Sequence, residues 1–197
     1  KALQAEWELQ KIKVPHSILE MIQPTLREGK WKVTVAVNHD GIMLGIWADF
    51  REHLYGIAVD IGSTTLAAHL CELGSGEVLS SAGMMNPQIR FGEDLMSRVS
   101  YVMLNQDGEK ELTKSVREAL NQLSLEVCEQ AGIQKEEVME MVMVGNPVMH
   151  HLVHGINPVE LGGAPFALAT DEAIITPASE LDLELHQLSQ TYTLPCI

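Results

Sequence analysis

YGIAVDIGSTTLAAHL, Tyr55 to Leu70, decides how this chain folds. Ile57, Ala58 and Val59 form an unbroken apolar run, the pattern of a strand buried on both faces. Asp60 ends the run. Gly62 and the hydroxyl trio Ser63, Thr64 and Thr65 follow, and a second apolar run, Leu66 to Leu73, begins at once. Strands joined so closely predict a hairpin, with Gly62 allowing the reversal. The turn then presents a carboxylate, free amides and three hydroxyls at one point. Amides and hydroxyls suit phosphate oxygens, and the carboxylate suits Mg²⁺ or its waters. The bland reading of the same residues is a hairpin with a polar tip, since threonine also favours strands.

DIGSTT after an apolar strand resembles the first phosphate motif of the superfamily of actin, hexokinase, heat-shock-chaperone ATPases and sugar and acetate kinases. The order of elements from Tyr55 onward agrees. Gly74, Ser75 and Gly76 turn the chain into a third strand, Glu77 to Met84. Met85 to Tyr101 is a loop leading into a helix entered at Gly92, with Leu95, Val99 and Val102 on its apolar face. A longer helix runs from Glu109 to Ala131, its Leu112, Val116, Leu120, Leu123 and Val127 at helical period and Gly132 at its end. Met139 to Val144 is the next buried strand, closed by Gly145, Asn146 and Pro147. A short helix, Val148 to His154, ends at Gly155. Asn157 to Phe166 reads as irregular chain, and Ile174–Pro177 and Thr191–Ile197 as short strands.

Upstream, Lys1 to Lys13 has weak helical character. A helix after Pro15 carries Ile18, Leu19, Ile22 and Leu26 on one face until Gly29. Strands at Trp31–Val37 and Ile42–Ala48 are joined by a turn of Asn38, His39, Asp40 and Gly41. One helix and one hairpin are too small a core to stand alone. Residues 1–54 are therefore read as the end of a preceding domain.

The 197 residues are 46% hydrophobic, typical of a globular protein. With 27 acidic against 13 basic side chains the formal charge is −14, which opposes nucleic acid and anionic membranes and suits the cytoplasm. No apolar run is long enough to span a bilayer, and Lys1 opens no signal-peptide pattern. A start at Lys1 rather than Met reads as a fragment. Cys71, Cys128 and Cys196 are too scattered for a disulfide framework or an iron–sulfur site, and read as inert thiols in a reducing compartment.

A narrower resemblance rests on three motifs in order: YGIAVDIGSTTLAAHL, NPQIRFGEDLMSRVSY (Asn86 to Tyr101) and MVMVGNPVMHHLVHGINP (Met141 to Pro158). Together they resemble the reductive activators of corrinoid-dependent enzymes. The resemblance implies an ATP-hydrolysing, iron–sulfur-dependent protein of anaerobic metabolism that returns a Co(II) corrinoid protein of a methyltransferase system to Co(I). It implies a partial actin-like, ribonuclease H-like ATPase domain over residues 55–197, with a mixed sheet and helices on both faces. A small α+β end of a middle or linker domain would occupy residues 1–54. Asp60 would orient Mg²⁺ and water, Gly62, Ser63, Thr64 and Thr65 would hold the phosphates of ATP, and Gly145 and Asn146 would lie where the lobes hinge. The partner would be a corrinoid protein, and the ATPase domain would form a homodimer. A [2Fe–2S] domain, the second phosphate motif and the adenosine-binding glycines belong to the full-length family member and are not in this sequence, so this chain alone is expected to be inactive. The rival readings are a sugar- or acetate-type kinase and a fragment that only docks a partner or dimerises.

Two constellations remain. In HHLVH, His150 and His154 share a helical face as in the HExxH zinc helix, but His151 replaces the general base and no later ligand is evident. Packing near the hinge is favoured over zinc. Asn86, Gln88, Arg90, Glu93, Asp94 and Arg98 surround a helix start. They read as caps and surface pairs, Asp94 with Arg98 at i, i+4, or as a cleft wall facing nucleotide or partner. The methionines read as adaptable core.

Overall fold

The computed structural model describes residues 3, 5, 11–38 and 40–196. The weak helix expected from Lys1 falls mostly outside these residues, as do His39 of the first turn and Ile197 of the last strand. The chain divides into two compact units, Lys1–His53 and Leu54–Ile197.

In the first unit, α1 (His16–Glu28) follows Pro15, whose fixed φ suits a helix entry, and buries Ile18. Strands β1 (Thr34–Val37) and β2 (Met43–Trp47) pair antiparallel. Asn38 closes their turn by accepting from the amides of Asp40 (3.1 Å) and Ile42 (2.8 Å), while Gly41 takes φ +73°, which favours glycine.

The second unit holds a six-stranded mixed sheet. Strands β3 (Tyr55–Ile61), β4 (Thr65–Glu72) and β5 (Val78–Met85) form an antiparallel meander. Helices α2 (Leu95–Leu104) and α3 (Gly108–Ala131) then carry the chain over the sheet to β6 (Val138–Gly145), parallel to β3. Helix α4 (Pro147–Val153) leads on to β7 (Ile174–Pro177) and β8 (Gln190–Thr193), the latter parallel to β6. The sheet order is β5-β4-β3-β6-β8-β7.

The helices of this unit lie on one face of the sheet. Leu120, Leu123 and Val127 of α3 and Met149, Leu152 and Val153 of α4 share a core with Ile57, Val59, Ile61, Leu66, Leu70, Met141 and Met143. The buried apolar residues of both helices and the alternate, buried residues of β3 and β6 belong to this one cluster, while Ala58 and Asp60 between them are exposed. The expected helices on both faces therefore reduce, among the described residues, to helices on one. For the same reason β3 is not buried on both sides: Ile57, Val59 and Ile61 are buried while Ala58 and Asp60 are exposed. Its apolar run conceals a period of two.

Glycine ends α3 as expected, Gly132 taking φ +70°. Thr113 of α3 ties this helix to α4 through a buried hydroxyl donating to the Leu152 carbonyl at 2.8 Å. That carbonyl also accepts from the Gly155 amide, so Thr113→Val would not orphan it. The substitution is expected to cost about 1 kcal/mol, read from urea unfolding of the full-length protein.

Candidate functional site

Parallel pairing brings two sequence motifs to one end of the sheet. Asp60 of β3 lies opposite Val144 of β6, and Ile61 opposite Gly145. The hairpin tip of Gly62, Ser63 and Thr64 therefore projects beside the corner where β6 hands over to α4. The carboxyl ends of adjacent parallel strands are where open α/β sheets receive ligands. At the corner a Cβ on Gly145 would stand 3.1 Å from the Ile61 carbonyl and 3.3 Å from Met149 Cβ, so the missing side chain lets strand and helix close up. Asn146 is the N-cap of α4, its Oδ1 accepting from Val148 N and Met149 N, both at 3.1 Å. Pro147, at the first helical position, needs no acceptor for its missing N–H.

At the tip Asp60 and Thr64 are exposed, while Ser63 is half-buried. Gly62 does not adopt a positive φ. It is required by a close approach, because a Cβ there would lie 2.4 Å from the Thr65 carbonyl oxygen. No side chain can move aside to relieve a backbone clash, so Gly62→Ala is expected to cost about 2 kcal/mol in urea unfolding.

Beneath the tip sits a buried polar cluster that sequence reasoning placed at the surface. Asn86 donates from Nδ2 to the Gly62 carbonyl (2.8 Å) and from its backbone amide to the Thr64 carbonyl (2.8 Å). Its Oδ1 accepts from Gln88 N at 2.9 Å, opening the 3₁₀ turn Pro87–Phe91. Arg98 has no exposed surface. Its guanidinium donates to the Gly92 carbonyl (3.0 Å), to Gln88 Oε1 (3.1 Å) and to the Ser63 carbonyl, and it contacts Met149 Sδ at 3.1 Å. Gln88 in turn donates to the Leu112 carbonyl at 2.9 Å. Burial pushes the Arg98 pKa down, with the charge of Asp94 opposing. The expected surface pair is thus corrected: Asp94 caps α2 by accepting from Ser97 N at 2.7 Å, and Arg98 turns inward. Asn86, Gln88 and Arg98 are neither a surface network nor an open cleft wall. They are the footing of the hairpin. The legible signal was two amide side chains and an arginine clustered around a glycine turn.

The histidines of α4 pack as a second polar group. The rings of His150 and His154 are 5.3 Å apart, and those of His150 and His151 5.7 Å. His154 Nε2 meets Thr193 Oγ1 at 2.9 Å, and burial foremost, then the neighbouring His150 and Arg117, hold its pKa down to about 4. His151 has both ring nitrogens engaged, with the Pro147 carbonyl at 2.8 Å and the Ala169 amide at 3.0 Å. The His150 ring is buried with neither nitrogen paired. One potential ligand atom each from His150, His151 and Cys196 lie within 4.8 Å of one another. To coordinate, His151 would give up one of its two ring hydrogen bonds, and among the described residues the set holds three groups where a structural zinc site has four ligands. Burial lifts the thiols of Cys128, to about 11, and of Cys196. Such thiols are poor cluster ligands.

A groove of about 670 Å³ along α3 contains none of the hairpin residues. Its cations face carboxylates close by, Arg117 with Asp182 at 2.8 Å and Lys114 with Glu118 at 3.8 Å. Among the described residues no helix is long and apolar enough to cross a membrane.

An antiparallel meander, the parallel pairs β3–β6 and β6–β8, and a polar hairpin at the carboxyl end of β3 make up a mixed α/β unit. The profile of the RACo middle region matches residues 55–197, and that of the RACo linker region residues 1–53. The chain belongs to the RACo family, as the three motifs implied. It is 30% identical over 171 residues to the corrinoid activation enzyme RamQ of Eubacterium limosum, covering 86% of this chain and 29% of that one. A solved reductive activator for corrinoid, iron–sulfur protein superposes with a TM-score of 0.90 at 33% identity, over 98% of this chain and 32% of that one. The chain thus spans about a third of the length of these relatives.

Proposed function

We propose that this chain is part of an ATP-dependent reductive activator that returns Co(II) corrinoid proteins of methyltransferase systems to Co(I). The observation that carries the proposal is the likeness, over 98% of the chain, to a reductive activator for corrinoid, iron–sulfur protein. In this reading Leu54–Ile197 is the first half of an actin-like ATPase domain and Lys1–His53 the end of the linker that precedes it. Asp60 orients Mg²⁺ and water. Gly62, Ser63, Thr64 and Thr65 receive phosphate oxygens of ATP, and Gly145 and Asn146 form the corner about which the lobes hinge. Amides, hydroxyls and a carboxylate gathered at one tip have the donor chemistry for a magnesium-bound phosphate.

The electron comes from elsewhere in the full-length protein. Three scattered cysteines, two of them buried, do not fit a [2Fe–2S] cluster, so the cluster belongs to a domain outside this chain. For one electron, each tenfold shift of the equilibrium takes about 59 mV. ATP contributes to that shift only through conformations that differ in affinity for nucleotide or for the corrinoid partner. A hinged cleft closing on phosphate supplies two such conformations. The proposal includes a homodimer formed through the ATPase domain and a cytoplasmic location.

The test mixes the full-length, chemically reduced protein with a Co(II) corrinoid protein under anaerobic conditions and follows the Co(I) absorbance band. Co(I) appearing only with ATP is the expected result. ATP consumed by transfer to a small acceptor, with no Co(I) formed, would overturn this reading in favour of a sugar- or acetate-type kinase.

A further inference from the structure

We propose that Asn86 and Arg98 are positioning residues that hold the Gly62–Thr65 backbone as an anion-receiving nest. The inference rests on the phosphate reading of the hairpin and deepens it, by naming the buried groups that aim its amides. Three successive carbonyls of the turn are drawn toward the cluster beneath it: Gly62 O by Asn86 Nδ2, Ser63 O by Arg98, and Thr64 O by the Asn86 amide. In a trans peptide the N–H points opposite to the C=O of the same unit. The amides of Ser63 and Thr64 therefore point away from the Asn86 and Arg98 side chains, while the Thr65 amide, in β4, faces Gly62 across the hairpin. Consecutive amides converging from one turn form the concavity that binds anions in phosphate loops.

The Thr64 carbonyl is held by the Asn86 amide one step beyond the Thr65–Met85 pair of the β4–β5 ladder, whereas the Gly62 and Ser63 carbonyls have only the side-chain donors of Asn86 and Arg98. Arg98 suits the task because its rigid fork reaches several acceptors at once, here on three separate stretches of chain: Ser63, Gln88 and Gly92. No carboxylate is hydrogen-bonded to it among the described residues, so its donors remain committed to backbone and amide oxygens. Met149 Sδ takes the remaining contacts, with Arg98 Nη1 at 3.1 Å and Asn86 Nδ2 at 3.7 Å. The footing of the hairpin is thereby shared with α4, whose N-cap is Asn146. The Ser63 carbonyl and the helix that begins at the Gly145–Asn146 corner thus share Arg98 as a contact.

The experiment measures MgATP and adenosine binding by the full-length protein carrying Arg98→Met, Arg98→Lys or Asp60→Ala, with circular dichroism as a check on folding. Arg98→Met is expected to weaken MgATP binding about 10- to 100-fold, the range for losing aimed hydrogen bonds to a charged ligand. Adenosine, which carries no phosphate, should bind as before. Arg98→Lys should recover part of the loss, since an ammonium can reach Ser63 O but cannot span all three stretches. A merely structural arginine would lower both ligands together. If both Arg98 variants bind MgATP like the wild type while Asp60→Ala does not, the nest is wrong and the phosphate reading stands. If the wild type fails to bind MgATP, both fall. Should Arg98→Met not fold, hydrogen exchange in the wild type decides: added MgATP must protect the amides of Ser63 and Thr64, and unchanged exchange there overturns the proposal.

Discussion

Asp60→Ala is expected to abolish ATP-driven formation of Co(I) in the full-length protein, lowering its rate about 100-fold or more. The fold should survive. Asp60 is exposed at the carboxyl end of β3, where its side chain leaves the sheet on the face without helices, between the buried neighbours Val59 and Ile61. Removing an exposed carboxylate with no hydrogen bond to the core typically changes stability by less than about 0.5 kcal/mol. Function and stability should therefore separate cleanly in this variant. The loss follows from position: Asp60 lies opposite Val144 and one residue before the pairing of Ile61 with Gly145. A carboxylate there is the anionic group that the hairpin tip presents beside three hydroxyls, and a cation bound with phosphate needs one. Asp60→Asn keeps the shape and removes the charge, so it should fail nearly as badly. The check is the Co(I) band with and without ATP, alongside urea unfolding of the same preparations. Full Co(I) formation by Asp60→Ala would remove this hairpin from the catalytic machinery.

The hairpin and its neighbours were legible because each signal was local. An apolar run, a glycine and a hydroxyl cluster within sixteen residues specify strand, turn and strand. The period of Leu112, Val116, Leu120 and Leu123 and the stop at Gly132 specify α3 almost to the residue. What sequence could not show was decided by distant partners. Ile57, Ala58 and Val59 are all apolar, and only the one-sided placement of α3 and α4 makes Ala58 exposed while its neighbours are buried. Arg98 looked like a surface residue because Asp94 stood one turn away. Its acceptors are carbonyls, which carry no sequence signature, and Ser63 is 35 residues distant. Gly62 reads in sequence as the residue that frees the backbone to reverse, yet its role is steric. The contact with the Thr65 oxygen exists only once both strands are built.

Acidification from about pH 6.5 toward pH 4 should destabilise the Leu54–Ile197 unit. His150, His151, His154 and His186 all have pKa values lowered by burial, His154 to about 4. An unfolded histidine takes up a proton near pH 6.5, whereas folded His154 resists until about pH 4. Below pH 6.5 the unfolded chain therefore binds more protons than the folded one, and stability falls as pH falls. It is fully present above about pH 6.5 and is lost progressively toward pH 4. At about 1.4 kcal/mol per pH unit, His154 alone accounts for at most about 3 kcal/mol over that window, and for less because solvent reaches part of the ring and screens its neighbours. The groups facing it act in the same direction: His150 and His151 become cationic neighbours if protonated, and Arg117 is one already. His154→Gln keeps a side chain able to meet Thr193 Oγ1 and removes the titration. The variant should lose a few tenths of a kcal/mol to about 1 kcal/mol at pH 7.5 and should show a shallower decline between pH 6.5 and 4.5. Hydrogen exchange of the α4 segment, followed across that range in the wild type and His154→Gln, reads the difference where it arises. Identical pH slopes in the two proteins would show that His154 is already protonated in the folded state, and that its contact with Thr193 tolerates the charge.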